Sequence, residues 1–235
     1  SIYLKNIREK LNNSQLLTGI PYYIDNDKGR NFYNSVGLLT KETKTELYHK
    51  IILVPLAEYI PLSDQYPVLK KINIGQANFT HGNNYKIFNI NTGIKDNLDT
   101  TNNVVKVGSM VCIESTIPYL SRKFVELGAE VLIYVVNDGW YESPPQPQQH
   151  SKQVIYRAIE NRRPIIRCAN TGISLLVNSS GNITHDLQLN KKGVIQATIF
   201  PGNELTFYTK YGDIFAWLCN FISILFILGS ISRKK

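Results

Sequence analysis

One stretch limits what this chain can be before anything else is read. Ile214 to Ile231 runs IFAWLCNFISILFILGSI, with no charged side chain and only Asn220, Ser223 and Ser230 as polar interruptions. Crossing the hydrocarbon core of a bilayer takes about 20 helical residues, with a lower limit near 17. The run therefore suffices for one span, with Trp217 near one interface and Asp213 outside it. A buried core helix rarely stays free of charge for so long and then stops at Arg233-Lys234-Lys235. Basic residues flanking a span stay on the cytoplasmic side. The remainder of the chain is thus expected to face outward, which in a bacterium means the periplasm or the exterior. The expected organisation is one globular domain over residues 1–212, then a transmembrane helix with a basic cytoplasmic end over 213–235.

At 235 residues the chain is long enough for one sizeable core. Its formal charge of +8 raises the question of nucleic acid, but three of those charges end the chain and the others are scattered among acidic residues. Without a basic stripe interleaved with aromatics, nucleic-acid binding is excluded as the working reading. The three cysteines, Cys112, Cys168 and Cys219, offer neither a disulfide framework nor metal-ligand spacing. No metal or cofactor is implied. Cys219 lies in the apolar tail, and Cys168 lies in a strand expected to be buried, where cysteine acts as a small hydrophobe. The chain starts at Ser1 directly in an amphipathic helix, with Ile2, Ile7 and Leu11 on one face. So abrupt a start reads as a domain lacking its N-terminal part.

Apolar, β-branched and aromatic runs predict strands at Leu16–Ile24, Phe32–Leu39, Glu46–Val54, Val104–Ile113, Val131–Val136, Ile165–Cys168, Ile173–Val177 and Val194–Ile199. Helices are expected at Pro118–Leu127, stopped by Gly128, and at Gln148–Asn161, with Val154, Ile155, Ala158 and Ile159 inward. Asp25-Asn26-Asp27-Lys28-Gly29 and Ser179-Ser180-Gly181-Asn182 are turn signals. Residues 62–104 read as an irregular polar excursion. The alternation of strands and helices points to α/β layers.

Chemistry gathers at a few positions. Cys112 ends a strand of the kind buried on both faces, a few residues before a helix whose N-terminus favours a thiolate. Lys50 and Glu58 are embedded in an apolar strand and turn, HKIILVPLAEYIP, where a buried ammonium must be paired or used. Glu114, two residues past Cys112, is expected on the same face as the thiol if the strand continues.

Four ordered segments carry a more specific signal: His49–Pro61, VCIESTIP at Val111–Pro118, Asn137-Asp138-Gly139-Trp140-Tyr141, and RAIENRRPIIRCANTGIS at Arg157–Ser174. Together they resemble the carbon–nitrogen hydrolase, or nitrilase, superfamily, and within it the apolipoprotein N-acyltransferase branch. The resemblance runs from about residue 16 to the end and is loose over 62–104. It implies a nitrilase-like four-layer α-β-β-α sandwich, N-terminally truncated and followed by one C-terminal transmembrane helix. It assigns Cys112 as nucleophile, Lys50 as the cation on the oxyanion, and Glu58 and Glu114 as supporting acids. The general-base glutamate of the family would precede Ser1, so these residues alone are expected to be inactive. An aromatic residue usual after the nucleophile is Ile113 here.

The implied reaction passes an acyl chain from a membrane phospholipid to a Cys112 thioester, then to the N-terminal amine of a diacylglyceryl-modified lipoprotein. Its setting would be the bacterial inner membrane, with the full protein multi-pass. The ring of Trp140, with Tyr141, could rest at the membrane interface or pack as core. Arg157, Glu160, Arg162 and Arg167 read as a structural ion-pair set, Asn170-Thr171-Gly172 as a tight turn, and His150 as a structural histidine. A same-superfamily amidase with water as acceptor, or a decayed membrane-tethered interaction module, are the alternatives. A reporter fused after Lys235 should read cytoplasmic; a periplasmic reading reverses the topology.

Overall fold

The computed structural model describes residues 2–27, 29–42, 44–63, 65–66, 68–69, 78–92, 104–140 and 145–232. Helix α1 (Ile2–Lys10) leads into an antiparallel hairpin of β1 (Leu16–Asn26) and β2 (Gly29–Leu39), and β3 (Glu46–His49) completes a three-stranded sheet in the order β1-β2-β3. Gly29 closes the hairpin at φ +124°, a conformation that a side chain would resist. Arg8 of α1 donates to the Thr45 hydroxyl at 2.6 Å, tying the helix to the end of this sheet.

The second sheet has six strands in sequence order: β4 (Ile87–Asn91), β5 (Val104–Val111), β6 (Val131–Val136), β7 (Ile165–Ala169), β8 (Ser174–Val177) and β9 (Ile183–Leu187). Only β5, β6 and β7 run parallel, joined by crossovers through α2 (Pro118–Glu126) and α3 (Gln146–Asn161). Their near-continuous apolar sequences follow from that position, because a strand covered on both faces has no polar side. Helix α2 opens on Pro118, where the missing N–H costs nothing, and ends ahead of Gly128 at φ +97°.

Register determines which face each residue serves. Met110, Tyr134 and Arg167 stand side by side across β5, β6 and β7 and point to the helices. Ser121 of α2 hydrogen-bonds the Tyr134 hydroxyl at 2.8 Å. A Cβ on Gly108 would stand 2.9 Å from Phe124, so α2 rests directly on β5. The alternate residues face the other sheet: a Cβ on Gly19 of β1 would lie 3.0 Å from Val135 of β6. Helices, six-stranded sheet and three-stranded sheet thus stack in the α-β-β order of the expected sandwich. Val36, Leu38 and Tyr48 from one sheet share a core with Val107, Val111 and Val131 from the other.

Several expectations need correction. Strand β3 stops at His49, because the next residues turn to bring their amides to a buried carboxylate. The polar excursion contains β4, and Phe79 bridges to Phe32; residues 70–77 and 93–103 lie outside the described residues. Val194–Ile199 forms no strand, and the sixth strand is β9, after the Ser179–Asn182 turn. Ile159 is half exposed and packs under Gly181 rather than into the core. Cys168 is exposed: its neighbour Arg167 takes the helix side of β7, and alternation turns Cys168 to the opposite face.

After β9 the chain reaches α4 (Phe207–Tyr211), capped by Thr206, whose hydroxyl oxygen accepts from the Thr209 amide. Thr209 donates to Asn161 of α3 at 3.1 Å, and Arg122 of α2 donates to the Thr209 carbonyl at 2.9 Å, pinning α4 to the domain. Helix α5 (Ile214–Ser232) follows. Among the described residues it is the one helix long and apolar enough to cross a membrane, and none of its apolar window is buried. The basic residues 233–235 lie outside the described residues. Gly108→Val should overpack the β5–α2 contact at a cost of about 1–3 kcal/mol. A thermal melt of the chain in detergent checks this, and an unchanged midpoint would show that α2 has slack.

Candidate active site

The carboxyl ends of β5, β6 and β7 meet beside β1 and the Glu58 turn, and side chains gather there as they do at the strand ends of α/β sheets generally. Strand β5 ends at Val111, and Cys112 then adopts φ +51° before a short 3-10 turn (Cys112–Thr116). This left-handed conformation costs a non-glycine residue on the order of 1–3 kcal/mol, and it persists only where tertiary structure imposes it. The kink ends the strand alternation, so Glu114 does not share a face with the thiol as the strand pattern had implied.

Glu114 turns inward instead and is completely buried. One carboxylate oxygen accepts from the Val111 amide at 2.7 Å. The other accepts from the Ile51 and Ile52 amides at 2.8 and 3.0 Å and from the Tyr48 hydroxyl at 2.8 Å. Burial pushes this carboxyl above the ordinary glutamate range, opposed by the hydrogen bonds from Val111, Ile52, Tyr48 and Ile51. Burial, with Glu114 alongside, also pushes the Tyr48 phenol far up. Glu114 therefore anchors β3 to the Cys112 turn.

Lys50, only 1% exposed, lies next to that anchor. Its ammonium donates to Glu58 at 2.5 Å. Glu58 also accepts from the Val54 amide and the Asn34 side chain, each at 2.8 Å. The Lys50 backbone is held too, since its amide donates to the Asn34 carbonyl at 2.8 Å and its carbonyl accepts from Gly82 at 2.8 Å. Gly82 cannot be replaced there, because a Cβ would meet the His49 carbonyl at 2.0 Å.

The Cys112 thiol donates to the Asn137 carbonyl at 3.8 Å. Burial pushes this thiol up; the Lys50 charge opposes that, while Asp138 and Glu58 add to it. The structure thus brings the predicted Cys112, Lys50 and Glu58 within electrostatic reach of one another. A cleft of about 560 Å³ opens next to them, lined by Glu58 itself and by Gly19, Asn34, Val111, Asn137 and Trp140 among others. Cys168 forms part of its wall. Trp140 is 51% exposed at the rim, which sets aside the core reading; Tyr141 lies outside the described residues. Among the described residues, no cluster of His, Cys, Asp and Glu could hold a metal.

A buried network underlies the cleft. Asp138 accepts from Arg167 at 2.7 Å and pairs with His150 Nδ1 at 2.8 Å. Burial alone would raise this carboxyl, but His150 and Arg167 together hold it below the ordinary aspartate range. Arg167 thus serves Asp138, apart from the expected ion-pair set, of which Arg157–Glu160 forms at 2.6 Å. Arg162 instead caps α3 in a left-handed turn. Gly172 is required by close approach, since a Cβ would fall 1.9 Å from Asp138 Oδ2. Asn34, Asn137 and Asp138 carry no role that spacing alone assigns; the signal available for the last two is Asn137-Asp138-Gly139 at the end of a buried strand.

The carbon-nitrogen hydrolase family model matches residues 3–203. The apolipoprotein N-acyltransferase of Geobacter metallireducens is 34% identical over 170 residues, 72% of this chain and 30% of that protein. The apolipoprotein N-acyltransferase of Thermotoga maritima is 30% identical over 233 residues, 99% of this chain and 42% of that one. The chain therefore spans well under half the length of these curated relatives. A Saccharomyces cerevisiae member of nitrilase superfamily branch 10 superposes with a TM-score of 0.56 at 16% identity, covering 82% of this chain and 63% of the other. A Helicobacter pylori carbon-nitrogen hydrolase gives 0.55 at 19%, covering 80% and 62%. These likenesses establish the fold.

Because its folded value is depressed, the Asp138 carboxylate contributes stability that is full above its ordinary 3.8 and fades as pH falls through the folded value. At neutral pH, Asp138→Asn should cost about 3 kcal/mol, since it leaves Arg167 without its counter-charge. The gap between wild type and D138N, followed by denaturation from pH 7 down to about 2, should hold above about 3.8 and narrow below it. A gap constant across that range would assign the loss to packing.

Proposed function

The chain belongs to the carbon-nitrogen hydrolase family, and from that premise we propose that it forms the catalytic domain of a membrane-bound N-acyltransferase that matures lipoproteins. The observation that carries this reading is a partly buried thiol within electrostatic reach of a buried ammonium, next to a cleft walled by Glu58, Val111 and Asn137, on a domain that continues into an apolar helix. Relatives named apolipoprotein N-acyltransferase supply the substrate class.

In the proposed reaction a phospholipid ester carbonyl enters the cleft, and Cys112 Sγ forms a bond to its carbon. Because burial raises the thiol, its proton must pass to a base as the bond forms. Glu58 is committed to Lys50, Asn34 and Val54, and the family resemblance implies a separate carboxylate as that base. Lys50 faces the charge that develops on the carbonyl oxygen, in a site where low polarity strengthens the attraction. Collapse breaks the ester C–O bond; the lysophospholipid leaves with the proton, and a thioester remains. The α-amine of a diacylglyceryl-modified cysteine then attacks the thioester, the C–S bond breaks, and the thiol is restored. Glu58 orients the ammonium, and Glu114 fixes the distance between Lys50 and Cys112.

In this reading α5 spans the bacterial inner membrane, residues 1–212 face the periplasm, and the residues after 232 remain cytoplasmic. Tethering suits the chemistry, since both substrates are confined to the bilayer and a bound site searches two dimensions. An exposed Trp140 at the cleft rim fits an interfacial position, where such rings are favoured.

Full-length protein incubated with phospholipid vesicles should gain an acyl mass on the Cys112 peptide, lost on addition of a diacylglyceryl-cysteine peptide that becomes N-acylated. Cys112→Ala should abolish the adduct. Lys50→Met should lower the rate by about 10²–10³-fold, the range for losing an oxyanion donor. An adduct that survives C112A sinks the mechanism, and a free fatty acid product without N-acylation would instead make the protein a hydrolase.

A further inference from the structure

The strained conformation of Cys112 needs a source of restraint. The Cys112 carbonyl oxygen accepts from the Ser115 hydroxyl at 2.8 Å and lies 3.2 Å from His150 Nε2. Ser115 Oγ is itself 3.0 Å from the same nitrogen. His150, Ser115 and Asp138 are all buried. From its other side the imidazole meets Asp138 Oδ1 at 2.8 Å, with the Arg167 guanidinium at 3.3 Å. Asp138 directly follows Asn137, whose carbonyl takes the thiol. One carboxylate therefore joins the two contacts of the cysteine, its peptide carbonyl through His150 and its sulfur through the adjoining peptide. Gly172 presses against this carboxylate from the β7–β8 turn, so the group has no room to shift.

We infer that His150 is a positioning residue for the nucleophile: its Nε2–H donates to the Cys112 carbonyl, its Nδ1–H donates to Asp138, and Arg167 holds that carboxylate in place. This rests on the reading of Cys112 as nucleophile, but the hold on the cysteine can be measured separately. The ring joins α3 to the nucleophile turn through two residues 38 positions apart in the sequence. Without it, Ser115 alone restrains the carbonyl, and the turn can relax toward ordinary backbone angles. The sulfur would then leave the Asn137 carbonyl and the neighbourhood of Lys50. A displacement of about 1 Å costs roughly 10²-fold in rate for a reaction that depends on alignment.

Three substitutions separate this role from simple packing. His150→Gln can place an amide where Nε2 lies, His150→Asn reaches only the Asp138 side, and His150→Leu fills space alone. In the full-length protein, the acyl-adduct rate on Cys112 should remain within a few fold of wild type in H150Q. In H150N and H150L it should fall by roughly 10²-fold with the donor KM unchanged. The pH profile of Cys112 alkylation by iodoacetamide, read by peptide mass spectrometry, needs no acyl donor. Its inflection should overlay wild type in H150Q and move by about one unit in H150N and H150L, the equivalent of about tenfold in thiolate fraction. Cys168 on the cleft wall provides the internal reference in each sample. If H150N matches H150Q, or all four profiles coincide, the inference is overturned. If the profiles separate as expected but wild-type Cys112 takes no acyl chain, the positioning role stands and the acyl-transfer reading falls.

Discussion

The carboxylate of Glu114 is the interaction on which the rest of the site depends. Four donors converge on it, from Val111 at the end of β5 and from Tyr48, Ile51 and Ile52 at the end of β3. Taking a carboxylate out of water costs several kcal/mol, and only such a set of hydrogen bonds offsets it. Having taken them, Glu114 joins one sheet to the other at the point where Lys50 and Cys112 emerge. The separation of ammonium and thiol is therefore set by backbone amides, which move less than side chains.

A second consequence is the division of labour among carboxylates. Glu114 is structural, Glu58 holds Lys50, and Asp138 holds the turn from behind through His150. Each is buried, and each has a different partner set. Two of the three surround the thiol and, with its burial, push it up, while Lys50 pulls it back.

The parallel core of β5, β6 and β7 explains why these groups meet. Strands covered on both faces place their loops at one edge, and here the three carboxyl ends supply Cys112, Asn137-Asp138 and Asn170. The helix-facing register positions Arg167 under Asp138, whereas the opposite register sends Cys168 to the cleft. One residue's difference in β7 decides between a structural cation and an exposed thiol.

Much of this was legible in the sequence. The apolar run at 214–231, the buried strand before Cys112, Pro118 opening a helix and Gly128 closing it are local patterns, and local patterns follow from hydrophobic spacing and backbone chemistry. A lysine in an apolar strand context signalled by cost alone that Lys50 must be paired. Tertiary structure decided what spacing cannot encode. Only there does Glu114 turn away from the thiol, because Cys112 breaks the strand at positive φ. Cys168 turns outward because its neighbour's guanidinium finds Asp138, 29 residues away. β9 replaces the strand expected at Val194–Ile199 because pairing, rather than apolar content, makes a strand. In each case the deciding partner lies far along the chain, and its contribution exists only once the chain has folded.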